Sequence, residues 1–355
     1  MYNSEYNGVS KIMKADMWFL YENMFRSRLF EAKVIEAWKE GKISGEMHLS
    51  KGEEAIVAGT VLQLQDGDAM ALDHRGTAPM VMRGVDLVLL FREFLGHPNG
   101  LCAGKGGHMH LFSKEHLAAS SGIVGASGPA AVGFALAAQY VRPGKVALAF
   151  FGEGAMNQGM LLEAMNLAMV WKLPVVFICK DSKWAITTLS ASVTSGSLVE
   201  RALSFGMASM KVDGNDVEAV WNTAEEAIKR ARAKQGPTFL HATCSHPEGH
   251  FLGDPLLRIA RHPVKEMKKV AGPLLKSVTK VKGGSVIKRT GGLGTVTSLI
   301  GKTTKEQVFD QKDPLKVVRS KLETDKDRLK KLEESVNEEI QNVVNNVLTS
   351  SDLKK

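Results

Sequence analysis

The stretch "VALAFFGEGAMNQGMLLEAMNLAMVWKLPVVFICKDSKWAITT", Val146 to Thr188, decides the fold. An apolar run from Val146 to Phe151 reaches a Gly-Glu-Gly turn, and an amphipathic run from Ala155 to Trp171 then leads to a second apolar run, Val175 to Cys179. The first and last runs have the length of buried strands, and the middle one has helical period. A strand, a crossover helix and a second strand form the unit of a parallel sheet. The same alternation continues on both sides. Helices are predicted over Trp18 to Glu40, Glu53 to Gln65, Asp86 to Leu95, Pro129 to Tyr140 and Ala224 to Lys234, with a further strand over Thr238 to Thr243. The fold class this implies is α/β: a doubly wound, mostly parallel sheet with helices on both faces.

In such a sheet, ligands bind where strands end and helix N-termini aim their amides outward. Gly152 and Gly154 bracket Glu153 at such a place and permit a sharp turn with close backbone approach. A dinucleotide fingerprint would need glycine at 157, where Asn157 stands, and the chain has no G-x-x-x-x-G-K-[ST] loop. A carboxylate beside exposed amides suits a hard cation that itself carries phosphate, since Mg2+ takes oxygen ligands from one or two side chains plus phosphate and water. The end of the next strand, "CKDSKW", offers Asp181 and Ser182 as further oxygen donors.

Composition excludes several classes. The chain has 355 residues and is 44% hydrophobic, enough for one large or two moderate cores. No apolar stretch reaches the roughly 18 residues of a membrane span, and the first residues lack the pattern of a secretory signal. A cytoplasmic protein without a membrane role is expected. Cys102, Cys179 and Cys244 are too scattered for a disulfide framework. The net charge of +8 lies entirely in the C-terminal part: 26 basic and 26 acidic residues precede Val264. Between Lys265 and Lys305 stand ten basic residues and one acid, with glycine pairs and no interleaved aromatic. That pattern reads as a mobile solvated linker over 265–311, and a nucleic-acid partner is not expected. Beyond it, Leu329, Leu332, Val336, Ile340 and Val343 recur at helical spacing, which predicts a helical region over 312–355 that packs one apolar stripe on the body or on a partner.

The block from Phe151 to Thr188 resembles the thiamine diphosphate motif of the alpha subunits of 2-oxo acid dehydrogenases and their acetoin dehydrogenase relatives. That motif runs Gly-Asp-Gly, Asn-Gln-Gly, a helix ending Trp-Lys-Leu-Pro, and Glu-Asn-Asn. The segments "FEAKVIEAWKEGKISGEMHLSKGEEAIVAG", "DHRG", "GKGGHMH", "GIVGASGPAAVGFALAAQY" and "GHFLGDP" follow the family's order and spacing over most of Met24 to Pro255. The resemblance implies a thiamine diphosphate-binding fold over 1–264, with thiamine diphosphate and Mg2+ as cofactors. It implies Glu153, Ser182 and the Trp184 carbonyl as metal ligands. It further implies that His74, Arg75, Gly122, Ile123, Val124, Gly152, Gly154 and Ala155 contact the cofactor, and that His250 serves as the catalytic residue lining the reaction cleft. Two departures fall on the metal itself: Glu153 replaces Asp, and Ser182 replaces Asn.

The implied activity is oxidative decarboxylation of a 2-oxo acid, or cleavage of acetoin, with acyl transfer to a lipoyl-bearing acyltransferase. The glutamate that activates the cofactor belongs in this family to a separate beta subunit, so a heterotetramer of two alpha and two beta chains is expected. The alternative is a non-catalytic alpha-like subunit with a decayed metal site, stabilising a beta chain or another partner. Several histidines and one arginine keep plainer readings as well. His108 and His110 in "GGHMH" mimic a metal pair, and the family has Ser where His108 stands; Cys244, His246 and His250 mimic a zinc spacing without a fourth partner. Arg75 also reads as an ion-pair partner of Asp73 or Asp86.

Overall fold

The computed structural model describes residues 16–186, 188–262, isolated positions between 265 and 301, and residues 312–349. The basic linker predicted over 265–311 therefore lies largely outside the described residues.

Helix α1, Met17–Lys39, starts where the Asp16 side chain accepts the Trp18 N–H at 3.0 Å. Leu20, Tyr21, Met24, Phe30, Val34 and Ala37 form its buried stripe. Next come α2 (Glu54–Val61), β1 (Ala69–Leu72), α3 (Thr77–Met82), α4 (Leu87–Phe94), β2 (Phe112–Ser113), β3 (Ala118–Ser120) and α5 (Ser127–Val141). The central unit follows: β4 (Ala147–Gly152), a 3-10 turn (Glu153–Asn157), α6 (Gly159–Val170) and β5 (Val175–Asp181). A small hairpin of β6 (Trp184–Ala185) and β7 (Thr188–Leu189) precedes α7 (Leu198–Ser204), β8 (Ala208–Asp213), α8 (Val217–Arg232), β9 (Thr238–Thr243) and α9 (Pro255–Arg261). Helices α10 (Pro314–Leu322) and α11 (Lys326–Leu348) close the described chain.

Seven strands form one sheet in the order β2-β3-β1-β4-β5-β9-β8, all parallel except the β2–β3 pair. Side chains alternate across it. Leu148 and Phe150 of β4, Val176 and Ile178 of β5, and Leu240 and Ala242 of β9 join α1, α2, α8 and α11 in one core. Ala147, Ala149 and Phe151, with Val175, Phe177 and Cys179, meet α5, α6 and α7 in a second core on the opposite face. Two apolar faces covered by helices are the physical content of the doubly wound architecture expected from the sequence.

The register sets the height of the ligand-bearing residues. Gly152 pairs with Lys180 across β4 and β5, and Asp181 pairs with Thr243 across β5 and β9. Glu153, Asp181 and Ser182 consequently leave the sheet at one level on its carboxyl edge.

Several elements depart from the sequence expectation. The helix predicted from Ala155 is broken: a 3-10 turn precedes Gln158, which is extended at φ −89° and ψ 129°, and α6 starts at Gly159. Arg201 explains how the interruption is tolerated, since it donates to the Met156 carbonyl at 3.0 Å and to Asn157 Oδ1 at 2.8 Å. Helix α8 begins seven residues before the predicted Ala224, because Asp216 caps it by accepting from Glu218 and Ala219. Strands β1 and β8 were not anticipated: β1 is a short Ala-Met-Ala-Leu run without β-branched residues. The C-terminal stripe packs on the body, where Leu329, Val336 and Ile340 join the first core and Glu333 accepts the Tyr21 hydroxyl at 2.6 Å.

Candidate cofactor cleft

Glu153 turns inward from the 3-10 turn and is buried. Its carboxylate accepts the Ser190 hydroxyl at 2.7 Å and the Ser182 N–H at 3.3 Å, while the Ser182 hydroxyl donates to the Trp184 carbonyl at 3.2 Å. The sequence-predicted metal ligands Glu153, Ser182 and Trp184 are thus brought together through one chain of hydrogen bonds. Burial, with the Asp181 charge adding to it, pushes the Glu153 carboxyl up to about 7 against the pull of Ser190. Asp181 lines the same small cavity as Glu153 and its carboxylate accepts from His241 Nε2 at 2.8 Å, so it is held by a neighbour.

A position for a side chain on Gly154 would meet nothing within 4 Å, and one on Gly152 would approach only the Lys180 carbonyl, at 3.9 Å. Open space over this turn leaves room for a ligand against the backbone. Ala155 sends its methyl into the second core, so only its backbone faces the turn.

Imidazoles gather beside the strand end, where His250 lines a cavity together with Ser182 and Trp184. His48, His74 and His250 each place a ring nitrogen within 4.8 Å of the others. The His48 ring stands 4.6 Å from the His74 ring, 5.3 Å from that of His250 and 5.6 Å from that of His108, between centroids. Burial first and the Arg75 charge second push His48 and His250 down to about 3 and His108 to about 4, and they lower His74 as well. All four are neutral at physiological pH and offer lone pairs. His74 Nε2 and His250 Nδ1 are buried without a hydrogen-bond partner in the chain. The loop carrying His250 is tied down by Asp254, which accepts the His250 N–H at 2.9 Å.

Arg75 is buried beneath this cluster. Its guanidinium donates to the carbonyls of Leu49 and His250, the latter at 2.7 Å, and Nε lies 3.8 Å from Glu53. The guanidinium pairs with neither acid expected from sequence: Asp86 caps α4, and Asp73 accepts Lys180 Nζ at 3.1 Å and the Arg75 backbone N–H at 3.0 Å. Gly122 lies against Met109 and His110, and Ile123 and Val124 stand exposed after β3.

Sequence reasoning missed the buried charges below the cleft. Lys180 Nζ donates to Glu53 at 2.6 Å and to Asp73 at 3.1 Å, and His246 Nε2 meets the other Glu53 oxygen at 2.8 Å. Cys244 and His246 therefore gather around Glu53 rather than with His250. Lys180 and Arg75 already neutralise that carboxylate, which removes the electrostatic reason for a zinc ion there. The signal for Lys180 was present: it continues the inward parity of Val176 and Ile178, so a charge on that face needs a buried counter-charge.

A family model described as dehydrogenase E1 component matches residues 22–289. The chain is 39% identical over 249 residues to the alpha subunit of acetoin:2,6-dichlorophenolindophenol oxidoreductase from Bacillus subtilis, covering 70% of this chain and 74% of that one. It is 40% identical over 237 residues to the protein of the same name from Cupriavidus necator, with 66% and 71% covered. The pyruvate dehydrogenase E1 component subunit alpha of Rhizobium meliloti is 36% identical over 268 residues, with 75% and 77% covered. With the cleft at the carboxyl edge of a doubly wound sheet and this extent of match, the chain belongs to the dehydrogenase E1 component family, on its alpha-subunit side.

Proposed function

We propose that the chain is the alpha subunit of a thiamine diphosphate-dependent dehydrogenase that decarboxylates a 2-oxo acid oxidatively or cleaves acetoin. The observation that carries this reading is the convergence of Glu153, Ser182 and the Trp184 carbonyl beside two glycines with open space above them. This donor set is all oxygen and carries one carboxylate, as a Mg2+ ion bound to a diphosphate requires. The longer Glu153 and shorter Ser182 offset each other only in part in reach, and the ligand charge stays at minus one. The unpartnered nitrogens of His74 and His250 are the second point of fit, since buried polar atoms of this kind have a partner when the site is filled.

When bound, thiamine diphosphate supplies a nucleophilic carbon and an electron sink for the carbon left after loss of carbon dioxide. The chain's own residues do the rest of the work. Glu153, Ser182 and the Trp184 carbonyl would hold the metal, and Gly152 and Gly154 would let the diphosphate approach the backbone. Burial, reinforced by the Arg75 charge below, keeps His48, His74, His108 and His250 uncharged, so each ring offers one N–H donor and one lone-pair acceptor. His250 lines the reaction cleft. The relatives are named as alpha subunits, which supports a second kind of subunit, a beta chain, as partner; acyl transfer to a lipoyl-bearing acyltransferase is the next step that the family resemblance implies.

The test is co-expression with the candidate beta chain, followed by titration with thiamine diphosphate and Mg2+ and a dye-linked assay across 2-oxo acids and acetoin. Saturable cofactor binding with turnover of one substrate supports the proposal. No binding at millimolar cofactor overturns it in favour of a non-catalytic alpha-like subunit.

A further inference from the structure

His108 occupies a place where the resembling family has serine, and the cleft description above gives it no part in holding the cofactor. Its Nε2 lies 3.2 Å from the His48 backbone N–H, which donates to it, and 3.3 Å from His48 Nδ1. The two ring planes are 16° apart, and both residues are buried. A ring nitrogen that accepts a backbone N–H carries no proton, so His108 holds its proton on Nδ1.

From this we infer that His108 is a positioning residue that fixes the tautomer of His48 as Nδ1–H. Two lone pairs facing each other at 3.3 Å would repel, so His48 Nδ1 must be the donor toward His108 Nε2. His48 is neutral and has one ring proton to place. With that proton on Nδ1, Nε2 carries a bare lone pair. The ring then offers the cleft an acceptor, beside the unpartnered nitrogens of His74 and His250. This is the logic by which a partner on one imidazole nitrogen sets what the other can do.

The placement of His108 is itself built. Buried Glu93 accepts the backbone N–H groups of Cys102 and Gly104 on one oxygen, at 2.7 and 2.8 Å. It accepts those of Gly106 and Gly107 on the other, at 2.7 and 3.2 Å. The loop it grips ends next to His108. A carboxylate spent entirely on loop amides holds that ring against His48 without using any group of the cleft.

The tautomer follows from the contact geometry together with the neutral state of His48, and only its use toward a ligand rests on the proposed function. The experiment is long-range proton–nitrogen correlation NMR on the full chain with isotope-labelled histidine, the His48 signals being assigned by their loss in His48→Asn. Wild type is expected to show a protonated Nδ1 and a bare Nε2 for His48. His108→Leu removes the acceptor and is expected to shift His48 toward Nε2–H. His108→Gln, whose amide oxygen accepts both donors, is expected to restore the wild-type pattern. Nε2–H on His48 in wild type, or an unchanged pattern in His108→Leu, overturns the inference. If His108→Leu does not fold, wild type and His108→Gln decide by the same criterion. No cofactor or turnover enters these readouts, so failure of the proposed function leaves them standing.

Discussion

Lys180 Nζ lies 2.6 Å from Glu53 Oε2, with both side chains fully buried beneath the cleft. Burial opposes both charges. The attraction between them, helped by Asp73 on Lys180 and by the His246 hydrogen bond on Glu53, outweighs it, so Lys180 is held above and Glu53 below the ordinary range. The pair joins the N-terminus of α2 to the end of β5, and Asp73 brings in the end of β1. These three segments carry His48, Ser182 and His74 respectively or lead directly to them.

Removing one partner leaves the other buried and uncompensated. Lys180→Met is expected to destabilise the chain by about 3–5 kcal/mol. Adding Glu53→Gln to it should recover part of that loss. Urea unfolding of the two single variants and the double variant measures the coupling, and strict additivity would contradict the pairing.

Glu31 predicts a pH dependence of stability. Its buried carboxyl accepts the Ser50 N–H at 2.7 Å, yet burial and the Glu54 and Glu53 charges push it up to about 8. Between the ordinary value of 4.5 and about 8 the native state holds a proton that the unfolded state has released. Its contribution is therefore fully present below pH 4.5 and is lost as pH rises through 8. Glu31→Gln keeps the acceptor and removes the ionisation. The variant should match wild type near pH 5 and unfold at a higher temperature than wild type at pH 9.

Glu93 satisfies four loop N–H groups, those of Cys102, Gly104, Gly106 and Gly107. Glu93→Ala should cost on the order of 3 kcal/mol and speed amide exchange across residues 102–107. Glu93→Gln retains one carbonyl oxygen and should give an intermediate effect in the same exchange measurement.

At the metal ligands, Glu153→Asp combined with Ser182→Asn restores the pair found in the resembling family. In the assembled enzyme the double variant should bind thiamine diphosphate with Mg2+ roughly tenfold tighter, about 1.4 kcal/mol. Isothermal titration reads this directly. Unchanged affinity would show that the two departures have no bearing on the cation.

The sequence by itself determined the layered α/β fold, because strand and helix periods alternate along the chain and each apolar face requires a cover. It also located the turn around Glu153 and the strand end at Ser182, since glycine-flanked carboxylates and oxygen donors at strand ends are local features. Only the tertiary structure decided what surrounds them. The Lys180–Glu53–Asp73 network joins residues more than a hundred positions apart, the His48–His108 contact joins residues sixty apart, and Arg75 turns out to sit under the imidazoles. Periodicity reports which face of an element is buried. Which charge or ring meets which in that interior depends on strand order and register, and these are set by packing across the whole chain.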